Sequence, residues 1–521
     1  MEILSLNHIT AAYPGQNPVL NDISLQINQG DFAVIIGKSG SGKTSLLSLI
    51  KGGISTLQIT KGALTLFNTP ANQLSAQSRA FDVGYLFQNP YHSVVCDTVW
   101  HELAFVAENM GLPPQEIHRR VAEISAFFHL EQQLYQPISQ LSGGQLQAVA
   151  LAAVCTGYPR LLLLDEPTSQ LDPASARSLL QMVYRLNQEL GITIVMVDHR
   201  LEDILPLCNR LVLMEKGRLM CSDSPQKTSA LMRQNPQVAT LLPAAARLCL
   251  NQSEVCLTTL QARGQLQTHP HTVPRFDTPQ PPKGNRLLYA RDIWFCYSNT
   301  QPPLLRGADV QLHQGEIQAL VGQNGSGKST LLYILNSALK PLEGKVRKNC
   351  ATALLPQQVQ LLFSYNTVQQ ELQKTGADTK IVQQIIDQLN LSPLLQQHPY
   401  DLSGGETQRL GIALMLCTGA DILLMDEPTK GLDNCAKKQI GTLLQQLAAG
   451  GKSILLVTHD LDFAAATAHT VCQLSAGKIC QPIPSRNFFV QNRFYTTQAA
   501  RICRGFCNAV QAEEVAKIAP V

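Results

Sequence analysis

An α/β chain folded twice in tandem is the expectation here, because two features each occur twice. One is a glycine-rich loop set between an apolar strand and a helix; the other is an Asp-Glu pair that closes a second apolar strand. The loops read Gly37-Lys38-Ser39-Gly40-Ser41-Gly42-Lys43-Thr44 and Gly322-Gln323-Asn324-Gly325-Ser326-Gly327-Lys328-Ser329. Leu-Ser-Gly-Gly recurs at 141–144 and 402–405, Asp-Glu-Pro-Thr at 165–168 and 426–429, and a histidine after an apolar run at His199 and His459. Four landmarks in one order, twice, make the chain a duplication.

Each element follows from its residues. Phe32–Ile36 and Ile317–Val321 are apolar runs of strand length directly before the loops, and 45–47 and 330–332 read as helix after them. Leu161–Leu164 and Ile422–Met425 are strands ending in Asp-Glu, while Thr193–Val197 and Ile454–Val457 end near the histidines. Apolar runs without alternation suit central strands of a mostly parallel sheet buried on both faces. Lys43 and Lys328 stand 285 positions apart, but Ser142/Ser403 and Asp165/Asp426 stand 261 apart, so the second copy lacks 24 residues between these points. Sixteen fall before Gln357 and eight after it, which trims a peripheral sheet and shortens a helical insert.

Of the 521 residues, 45% are hydrophobic and 15% charged, which supports real cores and excludes a disordered chain. With 41 Lys+Arg against 38 Asp+Glu, the net charge of +3 makes no case for a nucleic-acid partner. No apolar run approaches the roughly 18 to 20 residues of a membrane helix, and Met1–Ala12 lacks the pattern of a secretory signal, so a cytosolic site is expected. Fourteen scattered cysteines read mainly as small buried hydrophobes. The expected organisation is a first unit at 1–242, a linker at 243–284 carrying Pro270, Pro274, Pro279, Pro281 and Pro282, a shortened second unit at 285–483, and a tail at 484–521.

A glycine-rich turn before a helix converges backbone N–H groups on a phosphate, which implicates Gly37, Ser39, Gly40, Gly42 and Ser45, and Gly322, Asn324, Gly325, Gly327 and Thr330. Lys43 and Lys328 would reach the terminal phosphates, and the hydroxyls of Thr44 and Ser329 would ligate Mg2+. Asp165 and Asp426 end strands at the carboxyl edge of the sheet, the expected place for metal partners. Glu166 and Glu427 then stand ready to polarise a water in line with the terminal phosphate. Gln88 and Gln357 open the inserts and could touch metal or water by their amides, with Gln358 an alternative to Gln357. Tyr13 and Tyr297 precede each core and either stack on adenine or pack in the core.

With Leu141–Gly144 and Leu402–Gly405 in place, the sequence resembles the ATP-binding subunits of ATP-binding cassette (ABC) transporters over both halves. The resemblance implies two ABC ATPase cassettes, each with a parallel core sheet, a peripheral antiparallel sheet and a helical insert. It further implies head-to-tail pairing, in which Ser142, Gly143 and Gly144 complete the site of Lys328, and Ser403, Gly404 and Gly405 that of Lys43. His199 and His459 would contact the terminal phosphate, and Asp172 in Gln-Leu-Asp and Asp433 in Gly-Leu-Asp would couple the two sites. Both sites are expected to hydrolyse ATP.

Phe87-Gln88-Asn89-Pro90, then Asp97 to Phe105 and Glu108 to Leu112, is similar to the energy-coupling factor (ECF) importers. That likeness implies a peripheral ATPase on the cytoplasmic face of the cell membrane. Its partners would be a transmembrane coupling protein and a small substrate-binding membrane protein for a vitamin, vitamin precursor or metal ion. A tandem sugar-importer ATPase and a ribosome-associated tandem ATPase are the alternatives. Two departures stand out: Ala148 replaces the arginine present as Arg409, removing a salt-bridging role on one side, and the second copy keeps only Glu371-Leu372 of the insert phrase.

Overall fold

In the computed structural model the chain forms two units, Met1–Thr268 and His269–Val521. Residues 251–253, 270, 273, 279, 283, 299–301, 431 and 521 lie outside the described residues. Pro270 and Pro279 of the expected linker and Gly431 beside Asp433 are therefore outside as well.

The first unit is built on a six-stranded sheet in the order Arg218–Asp223, Arg210–Glu215, Phe32–Ile36, Thr193–Val197, Leu161–Asp165, Val83–Leu86. All neighbours are parallel except the first pair. Phe32–Ile36, Leu161–Asp165 and Thr193–Val197 are buried at every position, because helices cover both faces and no alternate position can face water. A four-stranded antiparallel sheet, centred on Glu2–Ala12, packs its apolar face against the helix Lys43–Lys51. The helical insert consists of Val99–Asn109, Pro114–Phe127 and the start of Gly143–Cys155, whose apolar faces meet through Leu103, Val121, Ile124 and Val149.

The second unit repeats this plan. Thr352–Leu355, Ile422–Asp426, Ser453–Val457, Ile317–Val321 and Thr470–Ser475 run parallel, with antiparallel strands closing one edge. The missing residues have clear addresses. Strand Glu343–Lys348 leads directly to Thr352–Leu355, whereas the first unit has the strand Thr69–Pro70 and the helix Ala76–Asp82 at that point. The insert helices Val368–Gln373 and Thr379–Gln388 are shorter than their counterparts by five and four residues.

The segment expected as a linker is not a free one. Residues 243–268 carry the helices Ala244–Arg247 and Thr259–Thr268 and belong to the first unit, whose core takes in Ala246 and Leu257. From His269 onward the chain belongs to the second unit. Proline excludes helix there but leaves carbonyls free to accept bonds: Arg486 Nε donates to the Asp277 carbonyl at 2.9 Å, and Asn508 exchanges two hydrogen bonds with the backbone of Phe276. The tail itself forms Ser485–Gln491, Gln498–Cys503 and Ala512–Val515 and buries Phe488 and Phe489 in the second core. Its Arg486 and Glu514 make a buried two-pronged ion pair at 2.5 and 3.1 Å.

Candidate nucleotide site

Each glycine-rich loop curls around its own lysine. Lys43 Nζ donates to the carbonyls of Gly37 and Lys38 at 2.9 and 3.0 Å, and Lys328 Nζ to those of Gly322 and Gln323 at 2.9 and 2.8 Å. Gly42 and Gly327 start their helices at φ +92° and +103°, a left-handed conformation that favours glycine. A Cβ on Gly37 would lie 2.3 Å from the Met214 carbonyl oxygen, and one on Gly322 would lie 2.6 Å from that of Leu474. Around Gly40 and Gly325 there is open space, and among the described residues the buried hydroxyls of Ser41 and Ser326 have no hydrogen-bond partner. A cradle of amides, an enclosed ammonium and an unpartnered hydroxyl fits the phosphates of a nucleotide.

The carboxylates stand at the strand ends as expected. Thr44 Oγ1 donates to Asp165 Oδ1 at 3.2 Å and Tyr85 OH to Oδ2 at 3.3 Å, while Ser329 hydrogen-bonds Asp426. Burial pushes the Asp165 carboxyl up to about 6, with the adjacent Glu166 charge adding to it; burial does the same to Asp426, also to about 6. A carboxylate beside a hydroxyl is a hard-oxygen pair suited to magnesium. Glu166 and Glu427 sit at φ +45° and +53°, strained for residues with a Cβ, and donate their N–H groups to Val197 and Val457 at 2.8 and 2.9 Å.

Gln88, Glu166 and His199 are brought together: Gln88 Nε2 donates to Glu166 Oε2 at 2.9 Å, and His199 Nε2 lies 2.9 Å from Oε1. In the second unit His459 Nδ1 lies 2.9 Å from Glu427 Oε2, but Gln357 is exposed and among the described residues makes no bond to Glu427. Tyr13 OH is 3.4 Å from Ser45 Oγ and Tyr297 OH 2.9 Å from Thr330 Oγ1, so each tyrosine is tethered to the helix after its loop. Tyr13 also packs against the core, whereas Tyr297 stays exposed.

Ser142 and Ser403 cap the helices that begin at Gly143 and Gly404, each in a reciprocal capping box with Gln145 or Glu406, and both serines are exposed. Gly144 and Gly405, in those first turns, are half-buried. Asp172 and Asp433 are helix caps too, accepting N–H bonds from Ala174 and Ser175, and from Ala436. Arg409 donates to the Leu389 carbonyl at 3.4 Å and forms no ion pair among the described residues, which corrects the salt-bridging role expected for it; Ala148 is buried at the matching position.

Three buried acceptors escaped the sequence reading. Asp198 collects Thr168 Oγ1 at 2.7 Å and the N–H groups of Thr168, His199 and Arg200 at 3.3, 2.7 and 3.0 Å, which fixes the backbone that presents His199. Glu102 and Glu371 each bind two backbone N–H groups inside the inserts. The repeated Thr-x-x-x-Glu spacing at 98–102 and 367–371 was the available signal.

Fold and site together define a tandem phosphate-loop ATPase. The ABC transporter family pattern matches residues 20–169 and 305–430. The chain is 36% identical over 527 residues to a provisionally named ABC transporter ATP-binding protein of Bacillus thuringiensis subsp. konkukian, spanning 96% of this chain and 95% of that one. It is 29% identical over 496 residues to YkoD of Bacillus subtilis, provisionally named an HMP/thiamine import ATP-binding protein, spanning 91% of this chain and 90% of that one. The archaeal ribosome recycling factor aABCE1 shares the fold at 21% identity, with a TM-score of 0.60 over 92% of this chain and 91% of that one. The chain belongs to the ABC transporter family: it is an ATP-binding protein with two tandem cassettes, and an ATPase that energises a transporter. Among the described residues no helix is long and apolar enough to cross a membrane.

Proposed function

We propose that this chain is the ATP-hydrolysing engine of an ECF-type importer, bound to the cytoplasmic face of the cell membrane, with its two cassettes pairing head to tail. Lys43 with Ser403, Gly404 and Gly405, and Lys328 with Ser142, Gly143 and Gly144, hold the terminal phosphates of the two ATP molecules. Thr44 with Asp165, and Ser329 with Asp426, hold Mg2+, joined by Gln88 and Gln357. ATP supplies the phosphoanhydride that is cleaved. Glu166 and Glu427 take the proton of the attacking water, and His199 and His459 orient the carboxylates and the phosphate. Pairing closes the cassettes and hydrolysis reopens them, with Asp172 and Asp433 linking the sites and the motion passing to membrane helices.

The observation that carries this reading is the complete duplication of the loop, carboxylate and histidine set in a chain similar along its length to an import ATPase. Exposed apolar side chains also cluster on the segments after Gln88 and Gln357 and on the turns beside them. They are Tyr91, Val95 and Tyr135 in one unit and Leu361, Tyr365 and Tyr400 in the other, a surface suited to a helix of a transmembrane coupling protein. The likeness to YkoD favours a vitamin precursor as cargo, delivered by a small substrate-binding membrane protein. The test is capture of the tagged E166Q/E427Q protein with ATP from detergent-solubilised membranes, followed by mass spectrometry. Recovery of a multispanning coupling protein and a small membrane partner supports the reading; recovery of ribosomal proteins overturns it.

A further inference from the structure

Each helical insert holds a buried carboxylate that the nucleotide site does not use. Glu102 is 2% exposed and Glu371 4%. One oxygen of Glu102, Oε2, accepts the N–H groups of both Val95 and Cys96, at 2.9 and 2.8 Å. In the second unit Oε1 of Glu371 accepts those of Ser364 and Tyr365, at 2.5 and 2.7 Å. Both glutamates lie in the first turn of an insert helix, Val99–Asn109 or Val368–Gln373, and both clamp the segment that descends from Gln88 or Gln357.

The start of the same helix is stitched on its other side to the chain that leads into the Leu-Ser-Gly-Gly turn. Val99 and Trp100 donate to the carbonyls of Gln136 and Leu134 at 3.3 and 2.8 Å, and Ile138 donates to that of Asp97 at 2.9 Å. In the second unit Val368 and Gln369 donate to Gln397 and Leu395 at 3.1 and 3.0 Å. Ser142 and Ser403 follow within a few residues. One buried carboxylate therefore joins the glutamine segment to the signature segment. Charge-assisted bonds to half-buried N–H groups are strong, and losing the acceptor removes the partner of two donors at once.

We propose that Glu102 and Glu371 are positioning residues for Ser142 and Ser403, so that loss of the glutamate in one cassette is felt at the ATP site built on the other cassette's phosphate loop. The inference rests on the head-to-tail pairing proposed above. The test uses the full chain with E166Q/E427Q, loaded with Mg2+ and photoreactive azido-ATP, with peptide mapping of the labelled phosphate loops. E102A is expected to reduce labelling of the Lys328 loop about tenfold while the Lys43 loop stays within about twofold, and E371A to do the reverse. E102Q and E371Q, whose amide oxygen can accept both bonds, restore the label.

Retained labelling of the loop in the mutated cassette also reports that this cassette has folded. Loss confined to the mutated cassette, equal loss at both loops, or no loss overturns the proposal. S142A is the control for pairing: if it leaves the Lys328 loop labelled, the head-to-tail reading fails. If S142A removes that label and E102A does not, only the role of the glutamate fails.

Discussion

Asp165→Asn should stabilise the nucleotide-free protein, although it removes a residue assigned to metal binding. Burial, with the Glu166 charge behind it, raises the Asp165 carboxyl from 3.8 to about 6. The folded-state value lies above the unfolded one, so the folded state binds the proton more tightly. Stability therefore falls as pH rises between the two values, and the loss is complete above the upper one. A shift of about two units corresponds to about 3 kcal/mol of ionisation penalty at neutral pH, an upper bound given some water access. Asparagine removes that penalty and keeps both contacts: its oxygen accepts from Thr44 as Asp165 Oδ1 does, and its NH2 group can donate to Tyr85 OH.

The assay is thermal melting in EDTA without nucleotide at pH 7.5 and pH 5. The first cassette of D165N should melt up to roughly 6 to 12 °C above wild type at pH 7.5, given about 2 to 4 °C per kcal/mol for a unit of this size. At pH 5 the gap should shrink to about half, because the wild-type carboxylate is by then largely protonated. Excess Mg2+ and ATP at about 100 times the Kd adds about 2.7 kcal/mol to wild type and closes the gap from the other side. A variant that melts at or below wild type in EDTA at pH 7.5, or a gap independent of pH, would refute the reasoning. D426N should behave alike in the second cassette, where burial also raises the carboxyl to about 6.

E166Q and E427Q should each slow turnover at the mutated site by about 10² to 10⁴ and leave ATP bound there, read by single-site phosphate release and by nucleotide retained through gel filtration. Unchanged turnover in both would remove the base assignment. R486A strands the buried Glu514 and releases the carbonyls of Asp277 and Asn508, so it should destabilise the second unit by about 3 to 5 kcal/mol and open residues 274–278 to protease. The double variant R486M/E514L should recover most of that loss, measured by denaturant melts; equal losses would mean that the ion pair itself carries the stability.

What sequence alone revealed tracks how local each determinant is. The central strands are legible because apolar residues run without alternation, and the phosphate loops because their chemistry lies within eight consecutive residues. Proline composition implies extended chain in this stretch, yet it could not show that Phe276 and Asp277 dock on Asn508 and Arg486, partners more than 200 residues away. Likewise, Glu102 is visible as a residue, but its partners are backbone N–H groups, which every sequence supplies and no sequence marks. Pairs such as Gln88 with Glu166 lie between: each member sits in a readable motif, and only the fold sets their distance.

That last contact also separates two sites whose residue inventories match. Glu166 has both oxygens engaged, Oε1 by His199 and Oε2 by Gln88. Glu427 Oε2 takes both His459 Nδ1 and, at 3.3 Å, the His459 N–H, while among the described residues its Oε1 carries no hydrogen bond. A carboxylate oxygen that already accepts a hydrogen bond is a weaker base than one that accepts none. In the chain without membrane partners, the second cassette should therefore contribute more of the basal turnover, and E427Q should lower it more than E166Q. Freeing Glu166 from a bond of about 1 kcal/mol allows roughly a fivefold gain at that site, so Q88A should narrow the difference while Q357A leaves it unchanged. Single-site phosphate release from E166Q, E427Q and each of these combined with Q88A measures it. Equal basal rates in E166Q and E427Q would show that the resting hydrogen bonds do not set the inequality.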